Sequence, residues 1–175
     1  MSLVVVETLS EAPLYPEKPT ESDFRTLDCI AERNGKWRYS LVSSDRHRMI
    51  CTFEAPDTES IRESYRRGGT FFSRMWSGQV VIPASASSSQ TKGTLTVVEY
   101  TLSKGCDWEE STDDVTSGLP LIHWSDAEWV CAYISRDRER VICEMTTPDV
   151  ASIRVAPRQA HWLCDRVWSA IVVKP

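Results

Sequence analysis

The chain has 175 residues, of which 41% are hydrophobic, and a formal net charge of −5 with acidic and basic residues interspersed. This length is close to that of one ordinary domain, and the hydrophobic fraction is sufficient to build a core. Because no Lys/Arg-rich run is present, nucleic acid is excluded as an expected partner. No apolar stretch is long enough to span a bilayer, and the N-terminal segment lacks the basic region of a signal peptide. We therefore predict a cytoplasmic protein that does not bind membranes.

The first half of the chain carries the signals of a βαββαβ unit. Residues 3–9 form a β-branched strand candidate, and TESDFRTLDCIAERNG then combines a capping box, an apolar stripe and an Asn-Gly stop, which predicts a helix. The alternating segments KWRYSLVS and RMICTFEA predict a hairpin. Asp57 is placed to cap a second helix, and a closing strand is predicted near SGQVVIP.

The second half repeats the first at an offset of 92 residues. From position 45 to position 83, 17 of 39 residues are identical to those 92 positions further on, as in DRHRMICTFEAPDTESIR and DRERVICEMTTPDVASIR. We interpret the chain as a first ferredoxin-like repeat at 1–83, a Ser-rich linker at 84–94 and a second ferredoxin-like repeat at 95–175. Because each sheet would leave one apolar face open, we predict an α+β fold in which two ferredoxin-like βαββαβ units are fused into a pseudo-dimeric α+β barrel.

The repeated residues also carry a family resemblance. The run DRHRMICTFEAPDTESIRESYRRGG, with Trp37 upstream and Trp76 downstream, resembles the small ferredoxin-like family known as the domain of unknown function 4242. That family includes nickel-binding members, so the resemblance implies a ferredoxin-like fold and suggests nickel or another transition metal as a ligand. Where the family commonly has a histidine in its second helix, this chain has Ser64 and Ala156. We therefore assign no metal ligand and no cofactor, and we expect His47 to be a solvated turn residue.

The cysteines are expected to be structural. None of the six is in a CxxC spacing, and Cys51 and Cys143 lie inside apolar, strand-like runs, so we predict that both are buried, reduced thiols. Alternation along the third strand places Met49, Cys51 and Phe53 on one face, which we expect to meet the helices.

The second copy departs from the first where its first helix should lie. Gly118 and Pro120 are expected to shorten that helix and uncover part of the sheet, whereas the intact first helix should keep the first copy closed. Aromatic, imidazole and carboxylate side chains near this opening are the predicted ligand-binding residues. They are Trp108, His123, Trp124, Trp129, Glu144 and Trp162. Whether the pocket lies in the second repeat or between the repeats is left open.

Two residues are candidate catalytic groups. Glu99 follows a run of valines and is interpreted as a desolvated general base, and His161 as a group that exchanges a proton near neutral pH. Because Glu7 occupies the equivalent place in the first copy, a structural pairing with a repeated arginine is an alternative for both glutamates. The sequence favours a small-molecule-binding protein, with a cofactor-independent isomerase or cyclase acting on an apolar substrate as the enzymatic hypothesis. The alternatives are a nickel or other transition-metal-binding protein and a non-catalytic interaction module, and a homo-oligomer is left open.

Overall fold

The computed structural model describes residues 1–82, 93–102, 127–148 and 162–175, with the backbone alone described at Trp162. The chain divides into two compact units. The first unit comprises Met1–Gln79 together with Ala170–Pro175, and the second unit comprises Val80–Ser169. Both helices and strands are present, which confirms the predicted mixed class. Neither helix in the described ranges is long and apolar enough to cross a membrane.

The first unit has the predicted element order βαββαβ. Its elements are β1 Ser2–Leu9, α1 Glu21–Glu32, β2 Lys36–Ser43, β3 Arg48–Ala55, α2 Thr58–Gly68 and β4 Arg74–Val81, the last two residues of β4 belonging to the second unit. The strands are ordered β4-β1-β3-β2, and every neighbouring pair is antiparallel. Strand β4 begins three residues before the predicted segment because Arg74 and Trp76 pair with Glu7 and Val5 of β1.

Both helices of the first unit begin at the capping residues that the sequence predicts. At α1, the Asp23 amide donates to Thr20 Oγ1 and the Asp23 carboxylate accepts from the Thr20 amide at 2.8 Å, which completes a capping box. At α2, the Asp57 carboxylate accepts from the Ser60 amide at 2.7 Å. Caps of this kind stabilise a helix by about 1 kcal/mol each.

The helices cover one face of the first-unit sheet. Cys51 and Phe53 belong to a buried cluster with Ile30 of α1 and Ile61 of α2, and Met49 packs against that cluster. The predicted sorting of β3 side chains toward the helices is therefore confirmed.

The two helices approach each other closely at Gly68. A Cβ atom at Gly68 would lie 1.8 Å from Thr26 Oγ1, so this position accepts only glycine without a shift of α1. The Thr26 hydroxyl also lies 2.6 Å from the Thr70 hydroxyl. These contacts fix α1 against α2.

The second unit contains four antiparallel strands in the described ranges. They are β5 Thr94–Leu102, β6 Glu128–Ser135, β7 Arg140–Thr147 and the first eight residues of β8 Trp162–Val173, and their order is β8-β5-β7-β6. The last part of β8, Ala170–Val173, pairs with β2 and belongs to the first unit. The predicted helices of the second copy, including Gly118 and Pro120, lie outside the described residues. The pairing of two ferredoxin-like units therefore stays a prediction.

Positions 92 residues apart occupy equivalent registers in the two units. Glu7 of β1 pairs with Ile50, and Glu99 of β5 pairs with Ile142. A β-bulge follows Trp37 in the first unit and Trp129 in the second. The two units can therefore be compared residue by residue at these strands.

Candidate functional site

A cavity of about 370 Å³ lies in the first unit. It is lined by α1, by the helix-facing side of the sheet and by residues 13–20, which lie between β1 and α1. Leu27 and Ile30 line it from α1, and Trp37, Met49 and Phe53 line it from the sheet. Its volume and its predominantly apolar walls are typical of a site for a small molecule.

This location corrects the expectation that an intact first helix closes the first copy. Helix α1 is intact from Glu21 to Glu32 and packs against α2 through Thr26 and Gly68, yet the cavity remains beside it. The three prolines of residues 13–19 line the cavity wall with short, rigid side chains. The connection therefore covers the sheet without filling the space above it.

Arg46 holds this cover in place. Its backbone is left-handed, with φ 64°, and its carbonyl accepts from the Leu14 amide at 2.8 Å. Its guanidinium forms an ion pair with Glu17 and lies 4.9 Å from the centre of the Tyr15 ring. His47 also contributes, because its Nδ1 lies 2.9 Å from the Ser10 carbonyl. The His47 side chain is therefore half-buried and contacts the start of the connection between β1 and α1, whereas a solvated side chain was expected.

A chain of hydrogen bonds forms the polar part of the cavity wall. Trp37 Nε1 donates to Ser40 Oγ at 3.1 Å, and Ser40 Oγ donates to Cys51 Sγ at 2.9 Å. Burial raises the pKa of the Cys51 thiol to about 11, although hydrogen bonds from Ser40 and Tyr65 act in the opposite direction. Burial also raises the pKa of Tyr65 well above its usual range, so thiol and phenol both stay protonated at neutral pH. We call these four residues the Ser40 cluster.

Two charged residues, Asp23 and Lys18, line the cavity. The Asp23 carboxylate takes part in the capping box, where it also accepts from the Thr20 hydroxyl at 2.7 Å, and its charge adds to the effect of burial in raising the pKa of Cys51 and of Tyr65. Lys18 is exposed, and its Nζ lies 6.0 Å from the Tyr15 ring centre. The other lining side chains are uncharged.

The second unit lacks this arrangement at the equivalent positions. Trp129 and Cys143 repeat Trp37 and Cys51, but Ala132 stands in place of Ser40. As a consequence, Trp129 Nε1 is buried without a hydrogen-bond partner among the described residues. Cys143 is buried, and desolvation raises the pKa of its thiol to about 12.

The two glutamates proposed from the sequence occupy equivalent, fully buried pairs. Glu7 forms an ion pair with Arg48 and accepts from Trp76 Nε1 at 2.7 Å. Ninety-two positions further on, Glu99 forms an ion pair with Arg140 and accepts from an indole nitrogen at 2.8 Å, that of Trp168. This arrangement is the structural pairing that the sequence analysis considered as the alternative to a catalytic base.

The second pair includes an additional acidic residue. Asp165 bonds to Arg140 Nη1 at 2.6 Å and accepts from Thr101 Oγ1 at 2.7 Å. The equivalent position in the first unit is Ser73, whose Oγ accepts from the Leu9 amide at 2.8 Å. Arg140 is therefore held by two carboxylates, and the Glu99 pair is embedded in a larger network.

The predicted site residues are only partly within the described ranges. Glu99, Trp129 and Glu144 are described in the second unit, and Trp162 is described as the first residue of β8 without its side chain. Glu144 is buried, with 4% of its surface exposed, and its predicted role in ligand binding stays a prediction. The remaining predicted residues lie outside the described residues. They are Trp108, His123, Trp124 and His161, and the roles assigned to them stay predictions.

Sequence reasoning missed Ser40, Tyr65 and the cover. The signal was present, because the tryptophan and cysteine of the cluster recur 92 positions later while Ser40 and Tyr65 become Ala132 and Pro157. The site predicted from the sequence lies in the second half of the chain, whereas Ser40 and Tyr65 are differences that lie in the first half.

The described residues do not fit a metal centre. Among them, no group of three or more His, Cys, Asp or Glu side chains is placed to hold an ion. Cys51, the soft donor in the cavity, is a protonated thiol, whereas a metal binds the thiolate. No step of a mechanism is therefore assigned to a metal in the described part of the chain.

The chain is therefore an α+β protein whose first unit contains a largely apolar cavity. The family described as "Nickel responsive protein SCO4226-like" matches residues 4–77. The resemblance predicted from the sequence is to a family with nickel-binding members, and this match supports the association with nickel. The matched segment contains all the residues that line the cavity. The match does not support the name domain of unknown function 4242, and it covers residues of the first unit only. Comparison with curated proteins gave no match.

Proposed function

We propose that this protein binds a small, largely apolar molecule in the cavity of the first unit. The observation that carries the proposal is the space of about 370 Å³ between α1, the sheet and residues 13–20. Burying the apolar surface of a ligand against these walls contributes roughly 25 cal/mol per Å². Arg46 supports this function because it binds residues 13–20 through Glu17 and Tyr15 and is not itself a lining residue.

A binding assay with a filled cavity tests the proposal. Naphthalene serves as the probe, and its binding is followed by its fluorescence and by the shift in the thermal midpoint of unfolding. Leu27→Trp places a larger side chain in the cavity wall and is expected to weaken binding by at least about tenfold. Phe24→Trp on the same helix is the matched control, because Phe24 is 56% exposed and does not line the cavity. Unchanged affinity in Leu27→Trp, or absence of binding to the unaltered protein, would contradict the proposal.

Nickel binding is the second candidate function, and the family match over residues 4–77 is the observation that favours it. The ligands would have to include residues beyond the described ranges, where His123 and His161 lie. Metal analysis of protein purified without a histidine tag tests this candidate. Stoichiometric nickel that is lost in a His123→Ala/His161→Ala variant would support it, whereas metal-free protein that binds naphthalene would support the cavity proposal alone.

Chemistry on a small molecule at the second unit, as an isomerase or cyclase, is a separate and finer proposal. It assigns proton transfer to Glu99 and His161 and needs a substrate within reach of the second unit. Glu99 would have to leave Arg140 or act while paired with it. Two further proposals are independent of this chemistry. One is that the chain consists of two ferredoxin-like copies in a pseudo-dimer, and the other is that the protein is located in the cytoplasm.

A further inference from the structure

We infer that the molecule bound in the first-unit cavity is uncharged and donates one hydrogen bond to the Ser40 cluster, as an aromatic or alicyclic alcohol would. This inference rests on the proposed function and adds the chemical class of the ligand. It follows from the hydrogen-bonding capacity that the cluster leaves unused and from the position of charge around the cavity.

The unused capacity of the cluster is for accepting hydrogen bonds. A serine hydroxyl has one hydrogen and two lone pairs. Ser40 Oγ spends its hydrogen on Cys51 and accepts from Trp37 Nε1, so one lone pair remains. Tyr65 also lines the cavity, and its hydroxyl oxygen has two lone pairs. The protonated Cys51 thiol is only a weak donor, so the acceptor sites of the cluster outnumber its remaining donors. A ligand that supplies an O–H group therefore complements this wall better than a ligand that supplies only a carbonyl.

The charges around the cavity favour a neutral ligand. An anion buried beside Ser40 would be opposed by the charge of the lining Asp23, and the cation among the described lining residues is Lys18, which is exposed beside Tyr15. A cation would have to compete for the Asp23 carboxylate with the Thr20 amide and hydroxyl. Burying either charge without a partner is costly, whereas a neutral hydroxyl needs only one acceptor.

Comparison with the second unit indicates that the cluster is not required to build this kind of sheet. The equivalent strand positions hold Trp129, Ala132 and Cys143, and β6 and β7 pair there with the same bulge as β2 and β3. Ser40 is thus a polar group that the first unit has in addition to a common framework. Tyr65 packs edge-to-face against Phe53 and Phe72 in the core, and it also brings a hydroxyl group to the cavity wall. Binding a polar group of a ligand is a role for these two hydroxyls beyond packing.

Three naphthalene derivatives test the inference at pH 7 by fluorescence titration against naphthalene itself. We expect 2-naphthol to bind about fivefold more tightly than naphthalene, since one net hydrogen bond contributes roughly 0.5–1.5 kcal/mol. The anionic 2-naphthoate and the cationic 2-naphthylmethylammonium are expected to bind more weakly than 2-naphthol. In Ser40→Ala and in Tyr65→Phe, the preference for 2-naphthol over naphthalene should fall toward one.

The preference is a ratio within each variant, so it remains informative when a substitution changes stability. Ala132→Ser is the matched control, because it makes the same exchange in the second unit and should leave the ratio unchanged. Equal binding of 2-naphthol and naphthalene would overturn the inference while leaving the apolar cavity proposal intact. Tighter binding of either charged probe would also overturn it, and failure of every probe to bind would overturn both.

Discussion

The two units share a framework and differ in what they build on it. In each unit a buried glutamate pairs with an arginine and a tryptophan, and a bulge follows another tryptophan on the neighbouring strand. Only the first unit adds a serine beside its strand cysteine. The repeated residues belong to the framework of the sheets. Ser40 and Tyr65 are not repeated, and both line the cavity.

Removing the buried carboxylates is expected to have the largest effect on stability. Glu7→Gln removes the carboxylate paired with the buried Arg48, and breaking such a pair typically costs roughly 3–5 kcal/mol of the free energy of unfolding. Glu99→Gln should cost less, because Arg140 keeps its ion pair with Asp165, and denaturant unfolding of the two variants measures the difference. If Glu99→Gln keeps full stability but loses activity or ligand affinity, Glu99 is a catalytic or binding residue and the structural interpretation of the pair fails.

A smaller loss is expected where α1 meets α2. Gly68→Ala places a methyl group against Thr26 and should cost roughly 1–3 kcal/mol, as overpacking does. The sequence of the second copy has the reverse arrangement, with Ala160 and Gly118 at the equivalent positions. The double variant Thr26→Gly/Gly68→Ala should therefore be less destabilised than the sum of the single variants, measured by denaturant unfolding. Strict additivity would show that the two positions are not in contact.

The smallest change is expected from exchanging serine and alanine beside the bulge tryptophans. Ala132→Ser gives the buried Trp129 Nε1 an acceptor and should raise the free energy of unfolding by about 1 kcal/mol. Ser40→Ala removes the acceptor of Trp37 and should lower it by a similar amount or more. Thermal unfolding of both variants measures these two changes in the free energy of unfolding. A destabilised Ala132→Ser would mean that the two tryptophans do not have equivalent surroundings.

Local patterns in the sequence predicted the first unit well. Alternation located β2 and β3 to the residue, and the capping signals at Thr20 and Asp57 located the helix starts, because each depends on neighbours in the chain. The cavity was not predicted, because it depends on how far residues 13–20 stand from the sheet. That distance is set by Arg46, which is far away in sequence and shows no periodic signal.

The candidate site shows the same limit. The burial of Cys51 and Cys143 followed from their places in alternating strands and is confirmed. The bond between Ser40 and Cys51 joins two strands and could be seen only once their register was known. The recurrence of Glu7 as Glu99 favours a structural pairing with a repeated arginine, but only the register of the strands identifies Arg48 as the partner of Glu7.

The equivalent free cysteines of the two units, Cys51 and Cys143, provide the most direct test of ligand binding in the first-unit cavity. At pH 8, alkylation of both thiols by N-ethylmaleimide should be slow, because burial raises their pKa values to about 11 for Cys51 and about 12 for Cys143. Each rate should increase as the pH rises toward those values, since the thiolate is the reactive form. Peptide mapping by mass spectrometry reads both residues in one sample.

The labelling is then repeated with naphthalene at about ten times its dissociation constant. If the ligand occupies the first-unit cavity, alkylation of Cys51 should slow by about tenfold, because only the unoccupied fraction remains reactive. Alkylation of Cys143 in the same sample should be unchanged and serves as the internal control. Equal protection of both cysteines, or protection of Cys143 alone, would contradict a binding site in the first unit.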